Sequence, residues 1–190
     1  MRILFSLLIV FQISTVSLYA QNMENAYSTL FWGVEQDPQP YFFKGWTLSA
    51  WMGLKQARIR GTFAAANTPA FFRRSGINFE RTNASHLSID FFFKDQFKGF
   101  WAGPALGYWW NRIKSEDQYQ KNYWSAIFSV GTGYNWYIFK GFYISPYLAG
   151  HLRITGTKDI MLGPLEYKPR LFTPEISIKI GWRFGNSTNE

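Results

Sequence analysis

The chain has 190 residues and a formal net charge of +8, a length that suits one domain. It contains no cysteine, which excludes a disulfide scaffold, thiolate metal sites, a cysteine nucleophile and a lipid-modified cysteine. Aromatic residues make up 21% of the chain, with 19 Phe, 11 Tyr and 9 Trp, yet the mean hydropathy is -0.18.

Residues 1–20 open with Arg2 and continue through an apolar run, Ile3 to Val16, broken by Ser6, Gln12, Ser14 and Thr15. Leu18-Tyr19-Ala20 precedes Gln21. This is the pattern of a secretory signal peptide, and the run is too short and too interrupted for a spanning helix. Removing Arg2 with it leaves 8 − 1 = +7 on the mature chain. No later segment approaches the ~18 apolar residues of a membrane helix. Residues 21–26 form a short N-terminal periplasmic segment, 27–184 the main domain and 185–190 a polar tail.

Period-two alternation then recurs along the chain, the mark of half-buried strands. Tyr27 to Glu35 places Leu30, Trp32 and Val34 on one face. Trp46, Leu48, Ala50, Met52 and Leu54 alternate with Thr47, Ser49, Trp51 and Gly53. Ala57, Ile59, Gly61 and Phe63 alternate with Arg58, Arg60, Thr62 and Ala64. Leu87, Ile89, Phe91 and Phe93 alternate with His86, Ser88, Asp90 and Phe92. Further strands run from Phe100 to Asn111, Tyr123 to Trp136, Phe142 to Thr155 and Glu175 to Phe184. Pro104 and Pro146 cannot donate to a ladder, which predicts bulges or strand ends there. Glycines at 103, 107, 131, 133 and 181 fall mostly on the polar register, where they leave room for Trp101, Trp109, Tyr143 and Tyr147.

Eight strands result, and their connections alternate in kind. Short ones fall at Lys55-Gln56, Lys94 to Gly99 and Lys140-Gly141. Longer or more polar ones fall at Gln36 to Lys44, Asn67 to Asn83, Ser115 to Lys121 and Gly156 to Arg170. The expected fold is all-β: an eight-stranded antiparallel transmembrane β-barrel, an up-and-down meander with short periplasmic turns and longer extracellular loops. Aromatic residues gather near strand ends, with Phe93, Phe97, Phe100, Trp136, Phe139, Phe142, Trp182 and Phe184 by the short turns. Trp109, Trp110, Tyr123 and Trp124 lie by the long loops. A bilayer rewards two such belts around an aliphatic band, and this accounts for so many rings in a chain of low hydropathy.

The sequence resembles the small bacterial outer-membrane β-barrel proteins of the OmpA-barrel, OmpX and OmpW kind. The resemblance covers Tyr27 to Phe184. The blocks GFWAGPALGYWW and GFYISPYLAGHLRI are similar to uncharacterised Bacteroidetes-type barrels. In that class an aromatic-ended last strand is the signal read by the outer-membrane assembly machinery. Ile178, Ile180, Trp182 and Phe184 match it, with the departure that Gly185 to Glu190 follow. The resemblance implies a bacterial outer-membrane location and gives no activity.

The polar register collects Arg58, Arg60, His86, Asp90, His151, Arg153, Glu175, Lys179 and Arg183. Charges inside a narrow barrel must be paired or hydrated. An eight-stranded interior is just wide enough for side chains, so a filled, non-enzymatic lumen with a structural or loop-mediated role is the first reading. A narrow conduit for ions or small molecules is the alternative. His86 and Ser88 share the His-x-Ser spacing of outer-membrane lipid A deacylases, which makes a lipid-modifying hydrolase a further alternative. A soluble exported barrel holding an apolar ligand is the last. In the loop, Phe71 and Phe72 stand beside Arg73 and Arg74, a candidate grip on lipopolysaccharide phosphates or on an extracellular partner. No metal-ligand spacing, cofactor box or nucleic-acid motif is present.

Overall fold

A computed structural model describes residues 30–185. The signal-peptide and periplasmic-segment expectations lie outside the described residues, as do Tyr27 to Thr29 of the first expected strand and all of the tail beyond Gly185. Eight strands form one closed antiparallel ring: β1 (Leu30–Gln36), β2 (Trp46–Leu54), β3 (Ala57–Asn67), β4 (Ile77–Phe92), β5 (Gly99–Ser115), β6 (Gln120–Phe139), β7 (Phe142–Gly156) and, last in the chain, β10 (Phe172–Phe184). Between β7 and the last strand lies a separate small hairpin of β8 (Ile160–Leu162) and β9 (Leu165–Tyr167). A single helical turn, α1 (Gln39–Phe42), follows β1.

Each strand pairs with its neighbours in sequence, and β1 closes on β10 with Trp32 opposite Phe184 and Gln36 opposite Ile180. Along the lower part of the strands the outer wall is apolar, while polar, small or aromatic side chains are buried inside. In β2, Thr47, Ser49, Trp51 and Gly53 are buried, while Trp46, Leu48, Ala50 and Met52 are exposed. The outer wall of β5 runs from Phe100 through Pro104 and Leu106 to Tyr108 and Trp110. Ten residues at ~3.4 Å rise span ~34 Å along a strand. At a tilt of ~45° that covers a band ~25 Å tall.

Above Trp110 the polarity inverts. Ile113 points inward and is fully buried, while Arg112 on the outer face is exposed. Ile77, Ile113 and Tyr123 meet Ile160, Leu162 and Tyr167 of the β8–β9 hairpin in a second apolar cluster. The wall here behaves as a water-exposed barrel does, oily within and polar outside. The barrel is also taller on this side: β4 to β7 have 15 to 20 residues, against 7 to 13 in the other four strands.

Several expectations are corrected. The Asn67 to Asn83 connection shrinks to residues 68–76, because β3 and β4 continue pairing up to Asn67 opposite Arg81. The Ser115 to Lys121 connection shrinks to residues 116–119. The Gly156 to Arg170 loop contains the hairpin, turning at Gly163, whose φ of +63° suits glycine. Pro104 and Pro146 sit mid-strand with no register shift beside them. Pairing of β4 with β5 instead skips from Ser88–Ala105 to Phe91–Ala102, and that of β6 with β7 from Gly133–Tyr147 to Trp136–Ile144. A residue without an N–H leaves a ladder gap facing one neighbour and needs no bulge. Finally, Phe97, Trp109 and Tyr123 do not join the outer belts but point inward.

Candidate functional site: the lumen

Arg58 and Arg60 are two residues apart on β3, so their side chains enter the lumen on one face. Asp90 lies opposite Arg58 and Ser88 opposite Arg60 on β4. Glu35 of β1 reaches the same point. Arg58 donates from Nε to Asp90 Oδ2 at 2.8 Å and from Nη1 to Glu35 Oε1 at 2.7 Å. Arg60 donates from Nη1 to Glu35 Oε2 at 3.0 Å and from Nη2 to Asp90 Oδ1 at 3.1 Å. Two cations and two anions thus alternate in a closed ring, with no side chain more than 7% exposed. The charges sum to zero, which lets so many ions stay together out of water.

Aromatic side chains wrap this ring. Tyr143 donates its hydroxyl to Glu35 Oε1 at 2.6 Å and accepts from Trp51 Nε1 at 2.8 Å. The Arg58 guanidinium lies 5.1 to 5.8 Å from the ring centres of Trp51, Phe92 and Trp101. Lys179 has no carboxylate within salt-bridge reach among the described residues, and its ammonium sits 3.8 Å over Tyr147 and 5.4 Å over Trp101. Gly133 and Gly181 make room for these rings. A Cβ on Gly133 would lie 2.9 Å from the Trp101 ring, and one on Gly181 would collide with Tyr143.

Phe97 closes the floor. The Lys94 to Gly99 turn folds inward through positive φ of 59° at both Gln96 and Phe97. Phe97 is fully buried and meets Phe31, Trp51 and Phe92 edge-on at 5.2 to 5.9 Å. Arg183 donates to Gln96 O at 2.9 Å and lies over Phe31 and Tyr137, fastening this turn to the last strand.

Above the ring runs a hydrogen-bonded chain. Ser129 Oγ meets His151 Nδ1 at 2.8 Å, and His151 Nε2 meets Glu175 Oε2 at 2.6 Å. Tyr147 contacts both Glu175 and Asp37 through its hydroxyl, and Ser177 donates to Asp37 Oδ1 at 2.7 Å. His86 accepts from Trp109 Nε1 at 2.7 Å, and Arg153 binds Ser125 Oγ at 3.1 Å and the Thr157 carbonyl. Hence His86 and Ser88 are not joined: Ser88 serves Arg60, with 3.2 Å from Arg60 Nε to its Oγ. Ser129, His151 and Glu175 have the order of a nucleophile, base and orienting acid. Ser129 is only 4% exposed, however, and Glu175 is shared with Tyr147. Among the described residues no cluster of three or more metal-ligating side chains occurs.

All nine expected lumen residues therefore face inward, in three separate groups. Arg58, Arg60 and Asp90 form the ring, with Lys179 beside it. His86, His151, Arg153 and Glu175 stand above it, and Arg183 lies at the floor. Sequence reasoning misses Glu35 and Asp37. Glu35 shares the inward register with Gly33, so period alone marks its direction, but nothing in the sequence marks its two arginine partners.

At the loop end, Phe71 and Phe72 are exposed with ring centres 4.5 Å apart. Arg73 donates to the Thr68 carbonyl at 2.8 Å and also to Asn78 O, and so holds its own loop. Arg74 lies 5.7 Å from the Tyr167 ring, and Arg170 contacts Phe72 O. Burial pushes the Tyr167 hydroxyl above the ordinary tyrosine range, so it stays protonated and donates to Glu80. On the last strand Ile178, Ile180 and Trp182 face outward, and Phe184 stacks on Trp32 at 4.2 Å.

No protein-family profile matches the chain, and no curated protein sequence does. Solved structures do. The chain is similar to Neisserial surface protein A, with a TM-score of 0.51 and 9% identity over 84% of this chain and 98% of that one. It is similar also to a major outer membrane protein of Thermus thermophilus, with a TM-score of 0.50 and 8% identity over 84% of this chain and 100% of that one. At such identities the likeness concerns the fold, and the chain has the eight-stranded antiparallel barrel fold of the small outer-membrane β-barrel proteins.

Proposed function

We propose that this protein resides in a bacterial outer membrane as a sealed, non-enzymatic barrel whose working surface is its loop end. The filled lumen carries the reading. The Arg58–Glu35–Arg60–Asp90 ring, its aromatic wrapping and the Phe97 floor occupy the section that a channel would need open. The outer apolar band supports the membrane location. A soluble protein seldom exposes more than several hundred Å² of contiguous apolar surface, whereas here Leu48, Met52, Leu87, Leu106, Leu148 and Ile178 belong to one exposed belt around the ring. In this reading the chain is exported by its N-terminal leader. The assembly machinery recognises Ile178, Ile180, Trp182 and Phe184. Phe71 and Phe72, backed by Arg74 and Arg170, meet an extracellular partner or lipopolysaccharide.

One observation favours a second reading, a narrow conduit. Lys179 has no carboxylate within salt-bridge reach among the described residues and lies below the polar chain from Ser129 to Ser177. Planar-bilayer recording separates the two. The sealed barrel predicts no stable unitary conductance, and steady single-channel steps would overturn it in favour of the conduit.

A further inference from the structure

The outer wall holds an arginine pair that the lumen does not use. Arg81 of β4 and Arg112 of β5 are direct cross-strand partners. Both stand on the outward register, in the row Asn67, Arg81, Arg112, Asn122 across four strands. Facing partners place their Cβ atoms ~5 Å apart, and like charges there repel. No carboxylate pairs with either among the described residues. Glu80, next to Arg81 in sequence, points to the other face and accepts from Tyr123 and Tyr167. Arg81 uses only Nη1, on Lys44 O at 3.2 Å and Asn67 Oδ1 at 3.1 Å. Arg112 makes no side-chain hydrogen bond among the described residues and is exposed.

Directly below the pair, toward the apolar band, the wall is hollowed. A groove of about 240 Å³ is lined by Trp46, Phe63, Tyr108 and Trp110, with Asn83 and Ser85 among them. Asn83 and Ser85 stand opposite Trp110 and Tyr108 on the outward register. Asn83 turns its amide to the Trp110 carbonyl at 3.3 Å, so it satisfies itself on the neighbouring strand. Below them come Leu87 opposite Leu106. From the loop end downward, the outer wall of β4 and β5 therefore presents two cations, then a polar-aromatic notch, then aliphatic surface. A phosphate-bearing lipid has the same order of chemistry: anion, polar linkage, acyl chain.

From this juxtaposition we propose that the outer wall of β4 and β5 is a binding site for an anionic phosphate-bearing lipid of the surrounding leaflet, one whose phosphate has no headgroup cation to neutralise it. Its phosphate bridges Arg81 and Arg112, and one acyl chain lies in the groove past Trp110 and Tyr108. The bridging anion turns the repulsion between the arginines into two charge-assisted contacts. The occupant is a lipid rather than free phosphate, because the groove adjoins the pair on the apolar side. The inference rests on the membrane location proposed above.

The test uses native mass spectrometry of the full chain released from micelles. The micelles hold phosphatidic acid and phosphatidylcholine with identical acyl chains. Each arginine at a membrane surface is worth about a fivefold preference for the anionic lipid. Wild type should retain phosphatidic acid about 25-fold over phosphatidylcholine. The preference should fall about fivefold in Arg112→Gln, and to near one in Arg81→Gln/Arg112→Gln. Lys98→Gln, which removes an exposed charge at the turn end, should leave it unchanged. Arg112→Gln removes no hydrogen bond, so it tests the site even where the double variant folds poorly. An unchanged preference in Arg112→Gln, or displacement of the lipid by an equal concentration of inorganic phosphate, would overturn the proposal. Heat-modifiable migration of each sample separates the two failures. A wild-type chain lacking it counts against the membrane barrel, whereas a heat-modifiable one without lipid preference counts against this site alone.

Discussion

Glu35→Gln tests the charge ring most sharply. The Glu35 carboxylate takes Arg58 Nη1 at 2.7 Å, Arg60 Nη1 at 3.0 Å and the Tyr143 hydroxyl at 2.6 Å, with its side chain fully buried. Glutamine keeps the shape but removes the charge, and its amide nitrogen sets a donor against donors. Two guanidinium groups, with Lys179 nearby, are then left to Asp90 alone. Breaking a buried ion pair from one side costs about 3–5 kcal/mol. Tyr143→Phe is the matched comparison, since it leaves both salt bridges in place. It removes the hydroxyl's hydrogen bond to the Glu35 carboxylate, worth about 1.5–3 kcal/mol, and leaves the buried Trp51 Nε1 without its acceptor, which adds about 1–3 kcal/mol. Guanidinium unfolding from lipid vesicles, followed by tryptophan emission, gives both values when the denaturant slope is unchanged. A Glu35→Gln chain within about 1 kcal/mol of wild type, on the order of a single neutral hydrogen bond, would refute the idea that the ring holds the lumen together.

Two further outcomes follow from the same geometry. Phe184→Ala removes the ring stacked on Trp32 across the closing β1–β10 seam and the aromatic end of the last strand. Insertion yield into membranes should drop several-fold by quantitative immunoblot of the membrane fraction, and normal yield would count against the assembly role. Ser129, buried beside His151, should resist labelling by a fluorophosphonate probe in the folded protein. Labelling that disappears in Ser129→Ala would make the Ser129–His151–Glu175 chain a working nucleophile and the non-enzymatic reading wrong.

The strand count and the facing of side chains are legible because a period of two meets a sharp change of solvent at each wall. That signal fades where the solvent stops changing. Along the outward row at Asn67, Arg81, Arg112 and Asn122 the wall is polar on its outer face, and Ile77 and Ile113 turn inward. A reading that looks for apolar residues outside finds loop there, which is why Asn67 to Asn83 reads as one connection. The register shift between Ile77 and Phe79 erases the alternation further. The β8–β9 hairpin is hidden for another reason. Its strands have three residues each, too few for a period, and its apolar side chains are stabilised by contacts from β4, β5 and β6 that no local pattern records. Phe97 is assigned to the outer belt for a similar reason. Its neighbours in sequence mark a turn, and only the positive φ at Gln96 and Phe97 sends the ring inside.

In the lumen, direction is legible and partnership is not. Alternation puts Arg58, Arg60 and Asp90 inside together, but Glu35 lies 23 residues from Arg58 in the chain, on a strand separated from β3 by β2, and no local spacing marks the contact. His86 and Ser88 look paired by spacing, yet along a strand same-face neighbours stand ~7 Å apart, and cross-strand partners take them both: Trp109 and Arg60.

The central claim is that the chain forms a closed barrel whose outer band sits in lipid. Gel migration of the isolated outer-membrane fraction, loaded in detergent with and without boiling, tests it most directly. The unboiled protein should resist detergent unfolding and run as a compact band, shifted on heating to the position of the unfolded leaderless chain, below the 22.2 kDa of all 190 residues. Recovery of the protein in the soluble fraction without detergent, with one heat-independent band, would contradict it.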